Sequence, residues 1–248
     1  MIAVTGAAGF IGSCLAQRLA ELGERELLLV DRRLTPAKAP NLAGLPGFRF
    51  MGHLDFLAAL EAGALEPSVI FHLGACSDTT QGDWEFLRRN NLEYTQALWA
   101  WCARAGRPFY YASSAATYGD GSRGFSDRTP PGELAPLNLY GKSKNDFDAW
   151  ALARAAGPAP PAWAGFKFFN VYGPREAHKG RMASVVFHAY RQIKERGEVR
   201  LFESDQHGMA HGEQRRDFVF VGDCVEHMLW SWRRSEERRV GKECRSRW

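Results

Sequence analysis

The sequence predicts an α/β fold: a doubly wound parallel sheet with a smaller second lobe. Three observations carry this. Short apolar runs alternate with helical patterns at the spacing of βαβ units. A glycine-rich loop, Gly6 to Gly12, follows the first apolar run directly and opens the first helix. An acid, Asp31, closes the second apolar run 19 residues after Gly12. Together these mark the Rossmann type of dinucleotide-binding sheet.

The elements follow in order. Ile2-Ala3-Val4 reads as a buried strand, and Ser13 to Leu22 as a helix with Leu15, Leu19 and Leu22 at helical spacing, stopped by Gly23. Leu27 to Val30 is a second strand and Val69 to Leu73 another. Trp84 to Ala105 reads as one long helix closed by Gly106. Pro108 to Ala112 is a strand, Tyr140 to Ala156 a helix, and Gly165 to Phe169 a strand. Ala155 to Pro161 is a Pro-rich surface loop, and beyond Asn170 the alternation weakens. The expected domains are 1–169 for the dinucleotide-binding sheet, 170–216 for part of a substrate lobe, and 217–233 for a return to the sheet.

The segment 234–248 stands apart. After Met228-Leu229-Trp230 the pattern stops in mid-helix, and RSEERRVGKECRSRW matches the translation of a common sequencing-library adapter. It is set aside from fold reasoning, with the expectation that the second lobe is truncated and that the truncated chain turns over poorly.

Composition excludes several classes. Of 248 residues, 45% are hydrophobic and 24% charged, as in an ordinary globular protein. Most of the formal +4 charge lies in the tail, through Arg234, Arg238, Arg239, Lys242, Arg245 and Arg247. A near-neutral body gives no footprint for nucleic acid. The five cysteines form no CxxC pair and no His/Cys cluster, so neither a disulfide framework nor a metal site is expected. The N-terminus opens on a strand and a glycine loop, leaving no room for a secretory signal. No run approaches the roughly 18–20 apolar residues that span a bilayer. The expected setting is cytoplasmic, without a membrane.

The glycine loop Gly6, Gly9, Gly12 lets the backbone approach a pyrophosphate at the positive end of the following helix. Asp31 favours NAD through the ribose hydroxyls, whereas Arg32, Arg33 and Lys38 favour NADP by neutralising a 2′-phosphate. The two signals oppose each other.

Tyr140 and Lys144 form YxxxK on one helix face. A tyrosine hydroxyl titrates near pH 10 and is a poor base at neutrality, so a nearby ammonium is expected to lower its pKa. Ser114, at the carboxyl end of the preceding strand, completes a set that exchanges protons with a substrate hydroxyl during hydride transfer.

With these residues the chain resembles the extended short-chain dehydrogenases/reductases of the NAD-dependent epimerase/dehydratase kind, from Met1 to about Trp230. It is most similar to the ADP-glycero-manno-heptose 6-epimerases. The narrower likeness lies in His72 to Thr80 (HLGACSDTT), Ala112 to Gly119 (ASSAATYG), Phe169 to Glu176 (FNVYGPRE), His178-Lys179-Gly180, Met182 to Val185 and Arg216 to Val219.

The resemblance implies epimerisation at C6 of ADP-D-glycero-D-manno-heptose. A tightly held NADP takes hydride, the carbonyl presents its other face, and the same cofactor returns the hydride. Tyr140 and Lys179 are the implied proton-transfer groups. Implied cofactor contacts are Phe10, Ile11, Asp31, Arg32, Lys38, Leu73, Gly74, Ala75, Cys76, Ser77, Asn90, Lys144 and Val171. Implied substrate contacts are Asn170, Arg181, His188, Phe202, Glu203 and Arg216, the last suited to holding a diphosphate bidentately. Also implied are a role in lipopolysaccharide core synthesis and a homo-oligomer, typically a pentamer. Arg181 stands where these enzymes often carry serine, and Leu73 where they often carry an acid. The alternatives are another sugar-nucleotide enzyme, such as a UDP-hexose 4-epimerase or a dehydratase, and a non-catalytic NADP-binding sensor. Ala115-Ala116 after Ser114 argues against a dehydratase, which wants an acid pair there. Retention of Ser114, Tyr140 and Lys144 argues against the sensor.

Overall fold

The computed structural model describes residues 1–245 except 202, 205–207 and 209, with side chains described as far as 236. The expectation for Phe202 lies outside the described residues.

Six strands form one parallel sheet in the order β3-β2-β1-β4-β5-β6. They are β1 (Ile2–Thr5), β2 (Leu27–Asp31), β3 (Phe48–Gly52), β4 (Val69–His72), β5 (Phe109–Ser114) and β6 (Trp163–Phe168). Ile2 pairs with Leu27 on one side and Val69 on the other, so the order reverses between β1 and β4.

Strand alternation splits the core into two layers. Val4, Leu29 and Phe71 face α1 (Phe10–Glu21) and α7 (Val221–Arg245), meeting Leu15, Leu19, Val225 and Met228. Ala3, Leu28, Val30 and Ile70 face the other way, onto Phe56 and Leu60 of α2 (His53–Glu61), Leu98 and Trp99 of α4 (Tyr94–Ala105) and Phe147 of α5 (Leu139–Arg154). Both faces are covered, which is why these strands read as unbroken apolar runs. Each fully buried Leu or Phe stabilises the fold by about 1.5–3 kcal/mol before entropy.

The expected helix from Trp84 is three pieces: α3 (Trp84–Leu87), a π-helical segment Arg88–Glu93 and α4. β3 and α2 had no counterpart in the sequence reading. β3 is an edge strand with Arg49 and Phe50 exposed, so its apolar pattern is weak. At the other end, α7 continues through residue 234 to Arg245, and the Tyr110 hydroxyl donates to Ser235 Oγ at 2.8 Å. The break in pattern after Trp230 is therefore not a break in the helix.

Residues 170–220 are built differently. β7 (Asn170–Tyr172) and β8 (Phe218–Phe220) form a two-stranded parallel sheet. Between them lie a 3₁₀ segment, Ala177–Met182, and α6 (Val185–Arg196), capped by the Ser184 hydroxyl accepting from Phe187 N–H at 3.0 Å. No residue of α6 is fully buried. Among the described residues no helix is long and apolar enough to cross a membrane.

Candidate active site

The site grows from the reversal point between β1 and β4, where doubly wound sheets bind ligands. Gly6 has φ +67°, and a Cβ there would lie 2.6 Å from Gly74 N, so the loops after β1 and β4 touch through glycines. A Cβ on Gly12 would stand 2.2 Å from Gly6 O. Gly9 is the N-cap of α1 and offers no side chain to its first-turn N–H groups. A glycine cradle at the start of a 12-residue helix suits a pyrophosphate, so the residues present fit a dinucleotide.

Asp31 ends β2 and is 6% exposed. Its carboxylate accepts from Ala8 N–H at 3.1 Å, from Arg32 N–H at 2.7 Å and from Lys38 Nζ at 3.1 Å. The Arg32 guanidinium lies over the Phe86 ring, 5.6 Å from its centre. The acid favouring NAD and the lysine favouring NADP are thus bonded to each other.

A buried polar chain fixes the loop from Leu73 to Ser77. Leu73 N–H donates to Thr5 O at 3.1 Å and Gly74 N–H to Thr5 Oγ1 at 3.3 Å. Thr5 Oγ1 meets His72 Nδ1 at 2.6 Å, His72 Nε2 meets Thr95 Oγ1 at 2.9 Å, and Thr95 donates to Asn91 O at 2.5 Å. Since Thr95 donates to Asn91, His72 Nε2 donates to Thr95, and in the neutral ring that burial favours Nδ1 accepts from Thr5. Burial holds the His72 pKa well below its usual value, and Lys144 pushes in the same direction. Asn91 accepts from Cys76 N–H at 2.9 Å and donates to Cys76 O at 3.0 Å and Ser143 Oγ at 3.1 Å. It joins this loop to α5. Asn90 instead donates to Phe86 O at 2.8 Å, within its own helical run.

Ser114 lies at the end of β5 and accepts from Ala116 N–H at 3.1 Å. α5 begins beside it: Asn138 caps the helix by accepting from Gly141 N–H at 2.7 Å, and a Cβ on Gly141 would stand 2.7 Å from Ala116 O. That approach brings Tyr140 against the Ser114 side chain, with Cys76 near. Burial raises the Tyr140 pKa, and the bond with Ser114 opposes the rise. This corrects the expectation that Lys144 lowers it. Lys144 is 5% exposed and its Nζ donates to Ala112 O at 2.9 Å. Desolvation lowers its own pKa to about 8, partly offset by Asp148.

Lys179 sits in the 3₁₀ segment with its Nζ over the Phe10 ring, 5.7 Å from the centre. Burial lowers its pKa, opposed by Glu176. Glu176 is 2% exposed and ties the segment at both ends, accepting from Gly173 N–H at 3.1 Å and from Ser184 Oγ at 2.9 Å. Arg175 holds a left-handed φ of +72°. Its guanidinium reaches Asn41 O at 2.7 Å and Ser13 O at 3.0 Å, pinning this segment to α1.

The structure therefore gathers the glycine loop, the Leu73 to Ser77 loop, Ser114, Tyr140, Lys144 and Lys179. The other expected residues are more outlying. Asn170, Arg181, Glu203 and Arg216 are exposed. The Asn170 amide donates to Asp217 O at 2.9 Å, and Arg216 to Arg215 O at 2.8 Å. Val171 pairs with Val219, and the His188 ring packs at 5.7 Å from that of Phe187. Sequence reasoning missed Asn91, Arg175 and Glu176. Arg175 lay inside the recognised FNVYGPRE string, but a left-handed arginine leaves no pattern in sequence.

Fold and site define a class, and the comparisons agree with it. The model of the NAD dependent epimerase/dehydratase family matches residues 2–243, and the chain belongs to that family. Among its relatives, the ADP-L-glycero-D-manno-heptose-6-epimerase of Alkalilimnicola ehrlichii is 48% identical, over 93% of this chain and 71% of that protein. The enzyme of the same name from Fusobacterium nucleatum is 46% identical, over 93% and 70%. The crystal structure of the Helicobacter pylori ADP-L-glycero-D-manno-heptose-6-epimerase superposes with a TM-score of 0.78 at 28% identity, over 93% and 72%.

Proposed function

We propose that this protein inverts C6 of the heptose in ADP-D-glycero-D-manno-heptose, giving the L-glycero epimer with no net redox change, in a cytoplasmic pathway to lipopolysaccharide core precursors. The relatives supply the substrate. One structural observation supports the chemistry: Tyr140 lies against Ser114, with the buried cation Lys144 one turn behind.

In this reading residues 1–169 bind the dinucleotide, 170–216 form part of the substrate lobe, and 217–233 return to the sheet. The glycine loop and the start of α1 hold the pyrophosphate. Lys144 and the loop from Leu73 to Ser77 hold the nicotinamide half. The cofactor, when bound, supplies a reversible hydride acceptor. Ser114 bonds the reacting oxygen. Tyr140 exchanges a proton with the C6 oxygen on one face of the sugar and Lys179 does so on the other, burial lowering the Lys179 pKa. The likeness extends the reading to a homo-oligomer.

Arg32 and Lys38 favour NADP over NAD. Replacing both with alanine should weaken NADP about tenfold more than NAD, on the scale of one lost charge-assisted bond, read by fluorescence titration with each cofactor. For the reaction, the protein is incubated with ADP-D-glycero-D-manno-heptose and the C6 epimers are resolved by chromatography. Interconversion that fades in both Tyr140→Phe and Lys179→Met supports the reading. Cofactor binding without interconversion of this sugar rejects the substrate.

A further inference from the structure

The proposed function takes Lys144 as the site cation, yet the fold buries it and gives its Nζ an uncharged acceptor, the Ala112 carbonyl. Burial of this kind favours the neutral amine. The opposing charge comes from the same helix. Asp148 lies at i+4 from Lys144, on the face shared with Tyr140, and is 5% exposed.

Asp148 is held from two strands. Tyr111 OH donates to its Oδ1 at 2.9 Å, Ser113 Oγ to its Oδ2 at 2.7 Å, and Lys167 Nζ to the same Oδ2 at 2.7 Å. Lys167 pairs in register with Ser113 across β5 and β6. Its Nζ also bonds Thr117 Oγ1 at 2.7 Å and lies 5.2 Å from the centre of the Tyr118 ring. The order is then Tyr140, Lys144, Asp148 along α5, followed by Lys167 from the sheet. Charge alternates along this row. Besides these, Lys144 faces the neutral His72 of β4, and Asp148 acts on Tyr118 of the neighbouring 3₁₀ turn.

A buried ion pair serving stability alone is a weak device, because apolar replacements do as well or better. The Asp148–Lys167 pair sits where it bears on the site cation. We propose that Asp148 and Lys167 are positioning residues for Lys144: Asp148 supplies the buried negative field that keeps the Lys144 ammonium charged, and Lys167 tempers that field. This rests on Lys144 being the site cation of the proposed reaction.

Two substitutions have opposite expected signs. Asp148→Asn removes the field, and Lys167→Gln removes its tempering while keeping a donor to Asp148. The 248-residue chain is labelled with ¹³Cε-lysine, and the Lys144 resonance, assigned by its loss in Lys144→Met, is titrated. Its midpoint should fall by about one pH unit in Asp148→Asn and rise by about half a unit in Lys167→Gln. The alkaline limb of the kcat–pH profile should move with the same signs. Asp148→Asn with Lys167→Met removes both charges; it replaces Asp148→Asn should that variant fail to fold, and should also titrate below the unmodified protein. A Lys144 midpoint that stays put, or moves the same way in both single variants, overturns the proposal. Such a result alongside normal epimerisation leaves the proposed function standing. Opposite shifts in a protein that does not epimerise reject the function and keep the effect of Asp148 and Lys167 on Lys144.

Discussion

In the six-stranded sheet, Leu28, Leu29, Ile70 and Phe71 are fully shielded from water, and the groups at the carboxyl ends of the strands are bonded into a continuous network. In residues 170–220, α6 buries no residue, Val185, Tyr190 and Ile193 are exposed, and four of the expected substrate residues face outward. In the sheet half the polar groups at the strand ends are buried and hydrogen-bonded to one another, while Trp99 Nε1 and Asn145 Oδ1 are buried without a partner. In the other half Glu176 and Arg175 fasten the segment carrying Lys179. Preorganisation in this molecule follows burial, and the two proposed proton-transfer groups lie on either side of that divide.

The sharpest way to break the contrast is to remove chemistry from the sheet half without disturbing it. Tyr140→Phe should cut turnover about 10²–10⁴-fold and leave thermal unfolding and cofactor binding nearly unchanged; a lost fold would mean that the hydroxyl is structural. Phe71→Ala should destabilise by about 3–5 kcal/mol in urea, because both core layers depend on the central strands. A value below about 1 kcal/mol would deny the packing claimed for the sheet.

Next in size is an acid effect. The folded His72 pKa lies below its unfolded value near 6.5, so the unfolded chain takes up the proton first as pH falls. Stability from this group is complete above about pH 6.5 and is lost below it, at up to about 1.4 kcal/mol per pH unit. Denaturation midpoints at pH 7.5 and 5.5 measure this, and His72→Asn should flatten the difference. The smallest effect belongs to the exposed half: Ile193→Ala should change stability by less than about 0.5 kcal/mol. A large loss there would show that α6 is buried in solution.

The same divide governs what could be read from sequence. The strands at Ile2, Leu27 and Val69, the glycine loop and the start of α5 at YxxxK announce themselves through apolar runs and breakers. β3 does not, because an edge strand with Arg49 and Phe50 outward has no buried pattern. The π-helical turn at Arg88–Glu93 is a hydrogen-bond register, invisible in a helical periodicity. Tyr140, Lys144 and Ser114 were legible as types at a spacing, but the sign of the Tyr140 shift was not. It depends on burial outweighing the Ser114 bond.

The central claim is inversion of C6 by transient oxidation with both proton-transfer groups in one protein, and an isotope at that carbon tests it most directly. The protein is incubated in ordinary water with ADP-D-glycero-D-manno-heptose deuterated at C6, and the product is analysed by mass spectrometry and NMR. The account predicts the L-glycero epimer with the deuterium still on C6. Product carrying solvent hydrogen at C6 would mean inversion by proton abstraction from carbon, and would contradict it.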